Sequence, residues 1–262
     1  MGFLRTIFSV LGIIGVSAGV TPGRAGAEKP VLSIEPDEPV GFGYKICWFA
    51  IRTKDGKAVR KVLELIDPQP ANWRSGITAA YNGPEPRAKA AMVFVSPPVD
   101  GWTFVVGAGL PYPADASPNE SERQLARSFR RYFLKLAMHF DDVQFFGTYR
   151  VVGFDAWARA RNGRVERIFS YRDGEVTANE GAQTPEEARL RFLDLGGRSP
   201  REATAFIFEK FDSLKSTQNS IPNEQHTIDL AGAWSIDPTQ LERRVEAKGS
   251  GFVGLLSYDP LR

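Results

Sequence analysis

Four short segments of the chain share one form: Ser117-Pro118-Asn119-Glu120, Thr184-Pro185-Glu186-Glu187, Ser199-Pro200-Arg201-Glu202 and Asp237-Pro238-Thr239-Gln240. Each sets a capping oxygen first, then proline, then Glu or Gln three residues after the cap. The cap oxygen accepts from an orphan N–H of the first helical turn, and the later side chain reaches back to the cap's own N–H. The pattern predicts four helix starts, all in the later part of the chain. After Ser117, Leu125, Phe129, Phe133, Leu136 and Phe140 recur every three or four residues as one apolar stripe. Arg123, Arg127, Arg130, Arg131 and Lys135 fall on the other faces and read as a solvated basic surface. After Ser199 the stripe is Ala203, Phe206, Ile207, Phe211 and Leu214. Residues 208–226 lose periodicity and read as a polar loop.

Strand signals occupy other stretches. The apolar run Ile46–Ile51 and the residues after it predict a hairpin turning at Asp55-Gly56. Residues 91–107 predict a second, with a longer loop through Pro97-Pro98 and Asp100-Gly101. Residues 156–171 predict a third around Asn162-Gly163, whose residue types tolerate the positive φ that a two-residue turn needs. Residues 28–43, rich in proline and acid, read as an extended lead-in, and 248–258 as a glycine stop followed by a final short strand. Hairpins rather than alternating β and α units imply an α+β fold: an antiparallel or mixed twisted sheet packed by about four capped helices. Residues 28–262 are expected to form one α+β domain. An alternative is two similar halves, about 40–112 and 143–262, joined by the helix after Ser117. Residues 50–65 and 157–171 then align around their turns, with Arg52 against Arg159 and Gly56 against Gly163.

The first 27 residues have the layout of a secretory signal: Arg5, an apolar run from Ile7 to Val20, and Ala25-Gly26-Ala27 as a cleavage site. The run is shorter than the roughly 20 residues that span a bilayer. The expectation is export to the periplasm or beyond. The alternative is a membrane anchor formed by residues 7–20; Arg24, close to the cut, is the feature against cleavage. The whole chain has 33 Lys+Arg and 31 Asp+Glu. The leader holds two of the cations, Arg5 and Arg24, and no acid, so the remainder is formally neutral. Without a net basic field, attraction to nucleic acid has little to work with.

The hairpin at 156–171 holds the densest chemistry. With a two-residue turn, Arg161 is expected opposite Arg164, Ala160 opposite Val165, Arg159 opposite Glu166 and Trp157 opposite Ile168. Ala156, Ala158, Ala160, Val165 and Phe169 then make a core face, a shallow trough for a bulky helix. Arg167 intrudes on that face and needs a carboxylate or a path to solvent. The other face carries Trp157, Arg159, Arg161, Arg164 and Glu166, with Arg159–Glu166 as a cross-strand ion pair. Two readings stand. One is a cationic, aromatic patch for a protein partner. The other is an amphipathic sheet face, with arginines for solubility and Trp157 covered by other parts of the chain.

Residues 143–176, with Asn179–Ala188 and the later Leu230–Glu242, resemble a family of uncharacterised bacterial proteins. The shared pattern is an aromatic-Thr-x-Arg-Val-Val stretch, an Ala-Trp-Ala-Arg-Ala-x-Asn-Gly hairpin and a late Trp-Ser-x-Asp-Pro, beginning from about Val99. The resemblance implies no established activity. It does imply a departure: Tyr149 and Asp155 stand where relatives often carry histidine, so chemistry depending on those histidines is lost here.

Catalytic equipment is thin. Cys47 is the only cysteine and sits in an apolar run, which suits a buried, inert thiol. With only His139 and His226 beside it, the chain lacks ligands at metal-site spacing, so no metal or other cofactor is expected. There is no serine-nucleophile elbow and no phosphate-cradling glycine loop. His139, Asp141 and Asp142 at the end of the long helix are the weak catalytic candidates, and paired carboxylates distant in sequence stay open. The reading is an exported, non-enzymatic binding protein with a protein partner, of which a toxin-neutralising, immunity-type protein is one variant. The alternative is a cell-envelope hydrolase using carboxylates. Nothing indicates an integral membrane domain beyond the leader, and oligomeric state is left open.

Overall fold

The apolar run Ile46–Ile51 shows how the two faces of the sheet are filled. It opens strand β1, Ile46–Arg52. Ile46, Trp48 and Ala50 point into one apolar cluster, and Cys47, Phe49 and Ile51 into another on the opposite face. Alternate side chains of a strand leave opposite faces, so an unbroken apolar run marks a strand covered on both. β1 lies near the middle of a nine-stranded sheet in the order β2-β9-β3-β4-β1-β5-β6-β7-β8. The other strands are β2 (Ile66–Asn72), β3 (Ala90–Val95), β4 (Trp102–Gly107), β5 (Asp142–Tyr149), β6 (Phe154–Arg161), β7 (Arg164–Arg172), β8 (Glu175–Glu180) and β9 (Ser250–Ser257). Every pairing is antiparallel. The computed structural model describes residues 31–83, 89–217 and 221–258, with backbone only over 211–217. The expected leader, 1–27, lies outside them, as do the side chains of Phe211 and Leu214.

Helices cover both faces. One layer holds α1 (Gly56–Val62) and α3 (Glu120–Ala137); the other holds α2 (Trp73–Tyr81), α5 (Pro200–Thr217) and α6 (Glu224–Trp234), with the short α4 (Pro185–Arg189) beside α6. Phe129, Phe133 and Leu136 of α3 are fully buried, as their spacing predicts. They share a cluster with Ala156, Ala158 and Ala160 of β6, so the alanine trough does receive the phenylalanine-lined helix. No helix of the described residues is long and apolar enough to cross a membrane.

The capping boxes are borne out unevenly. Thr184 and Glu187 form the complete reciprocal box at α4, and Ser199 and Glu202 pair the same way before α5. At α3 the cap is Asn119, while Ser117 accepts from the Asn119 N–H and donates to Glu122. Asp237 caps a 3-10 turn, Pro238–Arg243, rather than an α-helix. Four boxes undercount the helices. Asp55, Asn72 and Asn223 cap α1, α2 and α6 without the accompanying proline and glutamate. A lone Asx cap resembles a turn in sequence, since both use the same side-chain acceptor. For that reason Asp55-Gly56 is a helix start and not a hairpin turn, and part of the polar loop expected over 208–226 is the end of α5 and the start of α6.

The halves also differ from expectation. Helices α1 and α2 interrupt the strands of the first stretch, whereas β5 to β8 follow one another directly. The hairpin at 157–171 therefore has no counterpart at 50–65. β9, from the end of the chain, inserts between β2 and β3.

The hairpin at 91–107 is present as β3–β4, with Phe94 opposite Val106 and Val95 opposite Val105. At the third hairpin Asn162 and Gly163 have φ of 50° and 76°, as the turn requires. Arg161 faces Arg164 and Ala160 faces Val165. A bulge between Arg159 and Ala160 then shifts the register, so that Arg159 faces Arg167 and Trp157 faces Phe169. One extra residue in one strand turns every later side chain of that strand to the other face. Ile168, not Phe169, joins the alanine trough.

Candidate functional site

The bulge decides what the arginine-rich hairpin is. Trp157 is 1% exposed, stacked between Phe169 at 4.5 Å and Phe192 at 5.1 Å, and donates its indole N–H to Glu187 at 2.9 Å. It cannot reach a partner, which corrects its place in a surface patch. Arg167 is buried on the same face, and its Nε donates to Glu187 at 2.9 Å while Nη1 donates to Asn179 at 2.8 Å. Glu187 also accepts the N–H of Thr184, so one carboxylate closes an ion pair, an indole bond and a helix cap. Arg159 pairs with Asp142 at 2.7 Å, not with Glu166; Glu166 pairs with Arg161 at 2.8 Å. Arg164 is exposed at the turn. The five expected patch residues are thus split between core and rim.

The weak catalytic candidates are no better assembled. His139 and Asp141 are exposed, and His139 Nδ1 lies 2.8 Å from the Lys135 carbonyl. Asp142 accepts from Arg159 and from Gln144. No group of three or more potential ligands that could hold a metal ion occurs among the described residues.

The opposite end of the sheet is different. β1 begins there, β4 and β5 end, β6 begins and β7 ends. A cleft of about 400 Å³ opens among these strand ends, lined by Lys45, Cys47, Tyr81, Tyr112, Thr148, Tyr149 and Arg172, with Ala108 and Gly109. Small-molecule sites run from about 300 to 1,000 Å³. The mouth is aromatic and cationic: Tyr149 and Tyr44 are 42% and 45% exposed, and Lys45 is exposed. Arg172 donates to Tyr112 Oη at 3.0 Å and closely contacts Glu122, which offsets its charge. Lys45 has no ion-pair partner among the described residues. Burial, and then the Glu122 charge, push the Tyr112 phenol up to about 12, and burial raises Tyr81 as well. The tyrosines of the interior therefore remain neutral hydroxyls. Burial pushes the Cys47 thiol up to about 12, which removes it as a nucleophile at neutral pH, as its apolar run implied.

Beside the cleft, outside its lining, lie two acids. Asp155 is 4% exposed and pairs across strands with Thr148. Its Oδ1 accepts from Thr227 of α6 at 3.0 Å. Thr148 in turn donates to Glu224 at 3.2 Å. Burial drives the Asp155 carboxyl up to about 7, against the lowering effect of the Thr227 bond and with a smaller rise from Glu224.

The sequence reading passed over this cleft. Its residues come from five separate stretches of the chain, and only a strand-end juxtaposition joins them. The available signal was tyrosine at the ends of β-rich runs. Comparison of the chain with protein-family models, with curated proteins and with solved structures finds no match.

Proposed function

We propose that the chain is an exported binding protein without catalytic activity, and that the strand-end cleft is its binding site. One observation carries this: among the described residues the cleft lining joins tyrosine hydroxyls and a lysine without an ion-pair partner, with no carboxylate and no imidazole. Rigid aromatic side chains with a polar tip suit binding at low entropic cost. The two positions at which the family resemblance places histidine in relatives, Tyr149 and Asp155, fall in and beside this cleft. In the toxin-neutralising variant the occupant is a segment of a protein partner. Export rests on the leader's layout.

The test is to fill the cleft. Ala108 is exposed and lines it, so Ala108→Trp blocks the space without disturbing the core. Fractionated periplasmic extract is expected to contain a component that raises the Tm of the wild type and not that of the blocked variant. Equal shifts for both overturn the assignment. Mass spectrometry of cell-derived protein is expected to show a chain beginning at Glu28.

A second reading, a hydrolase using carboxylates, draws on Asp155 beside Glu224. A buried acid held near neutral pH is a frequent property of general acids. It predicts turnover of a chromogenic glycoside that Asp155→Asn abolishes.

A further inference from the structure

Lys45 is held as ligand-binding groups often are. Its φ is +55°, in the left-handed region that a lysine adopts at a cost, and Gly43 two residues before it is at +125°. Strained backbone persists where the surroundings over-determine it, and such places cluster at ligand clamps. Here the surroundings belong to the cleft. Tyr81 donates its hydroxyl to the carbonyl of Tyr44 at 2.9 Å, which fixes the peptide leading into Lys45. Phe42, just upstream, donates its N–H to Pro238 at 3.0 Å. The backbone that leads into Lys45 is thus held by a wall residue of the cleft itself.

The charge count of the lining selects the ligand. Arg172 is already matched by Glu122, and the described residues of the lining include no acid. Among them one ammonium is left over. A dianion such as a phosphate monoester would bring more charge than one lysine answers. A neutral ligand would leave the ammonium with water alone. Tyr149 and Tyr112 add flat faces, and Tyr112 is braced against Phe154 with ring centres 4.8 Å apart.

We propose that the cleft takes a small organic monoanion that carries a ring, its carboxylate at Lys45 and its ring between the tyrosines. The inference rests on the cleft being the binding site. The probes are 2-naphthoate and its neutral amide, titrated by calorimetry into the full-length protein. Naphthoate is expected to bind about tenfold or more tightly than the amide, a difference worth about 1.4 kcal/mol. Lys45→Gln is expected to erase the preference at unchanged Tm, and Lys45→Arg to keep most of it. Inorganic phosphate is expected to compete weakly. Equal binding of acid and amide to the wild type overturns the anion assignment while leaving the cleft in use. So does naphthoate binding that Lys45→Gln leaves unchanged. Binding of neither probe overturns the ring-anion assignment too, and the Ala108→Trp experiment then decides separately whether the cleft is a site at all.

Discussion

The two ends of the β6–β7 hairpin carry similar residue types and use them in opposite ways. At the turn end, Arg159, Arg161 and Arg167 each meet a carboxylate, and the one carboxylate of Glu187 accepts from Arg167, from Trp157 and from the N–H of Thr184. At the other end, Asp155 is buried with one side-chain donor among the described residues, Thr227, and Lys45 lines a cleft whose described lining holds no acid. Buried polar groups that satisfy one another specify a structure. Polar groups with unmet capacity at a concave surface are left for something else to satisfy. Arginine density by itself does not distinguish the two; at the turn end each of these guanidiniums has a carboxylate partner, although the Nε of Arg159 and the nearby Gln144 Oε1 and Trp234 Nε1 are buried without a hydrogen-bond partner among the described residues.

Removing the hub of the turn end is expected to have the largest effect. Glu187→Ala leaves a guanidinium buried and unpaired, and should cost about 3–5 kcal/mol in urea unfolding. A loss below 1 kcal/mol would show that water reaches Arg167, and would dissolve the contrast. Asp155→Asn comes next, with a sign set by pH. The folded carboxyl sits at about 7, above its unfolded value near 3.9, so the stability tied to its proton is full below about 4 and is lost as pH rises towards 7. Asparagine keeps an acceptor for Thr227 and carries no charge. The variant should therefore gain on the order of 4 kcal/mol over wild type at pH 8 relative to pH 4. Parallel stability curves across that window would place a free carboxylate there. Trp157→Phe keeps most of the stacking and loses only the indole bond to Glu187, for about 1–2 kcal/mol, with naphthoate affinity unchanged. Any fall in affinity beyond threefold would join the two ends energetically. Arg161→Ala, which breaks a pair 48% and 33% exposed, should move stability by less than about 1 kcal/mol.

The legible parts of this chain are those whose signal is local and whose alternatives are poor. Asn162-Gly163 fixes its turn because few other residues accept two successive positive φ values. The phenylalanines of α3 announce a buried stripe, and Thr184 with Glu187 a helix start, because each pattern spans only a turn or two of backbone. Misreadings arose where one local pattern serves two structures. Asp55-Gly56 satisfies a hairpin turn and a helix cap equally well, and only the strand pairings of β1 with β4 and β5 decide between them.

By itself, then, the sequence determined the α+β class with an antiparallel or mixed sheet, the inert Cys47 and most of the core of α3, since periodicity and capping act over a few residues; that every pairing is antiparallel came from the structure. Tertiary structure alone decided the rest. A single bulge at Glu166, opposite Arg159 and Ala160, turned Arg167 and Phe169 to the face that Trp157 already occupies, and no residue type there marks it. The cleft exists only because five strand ends coincide, and each contributes one or two unremarkable residues. Side-chain pairing across a sheet depends on register, and register is a property of the whole ladder.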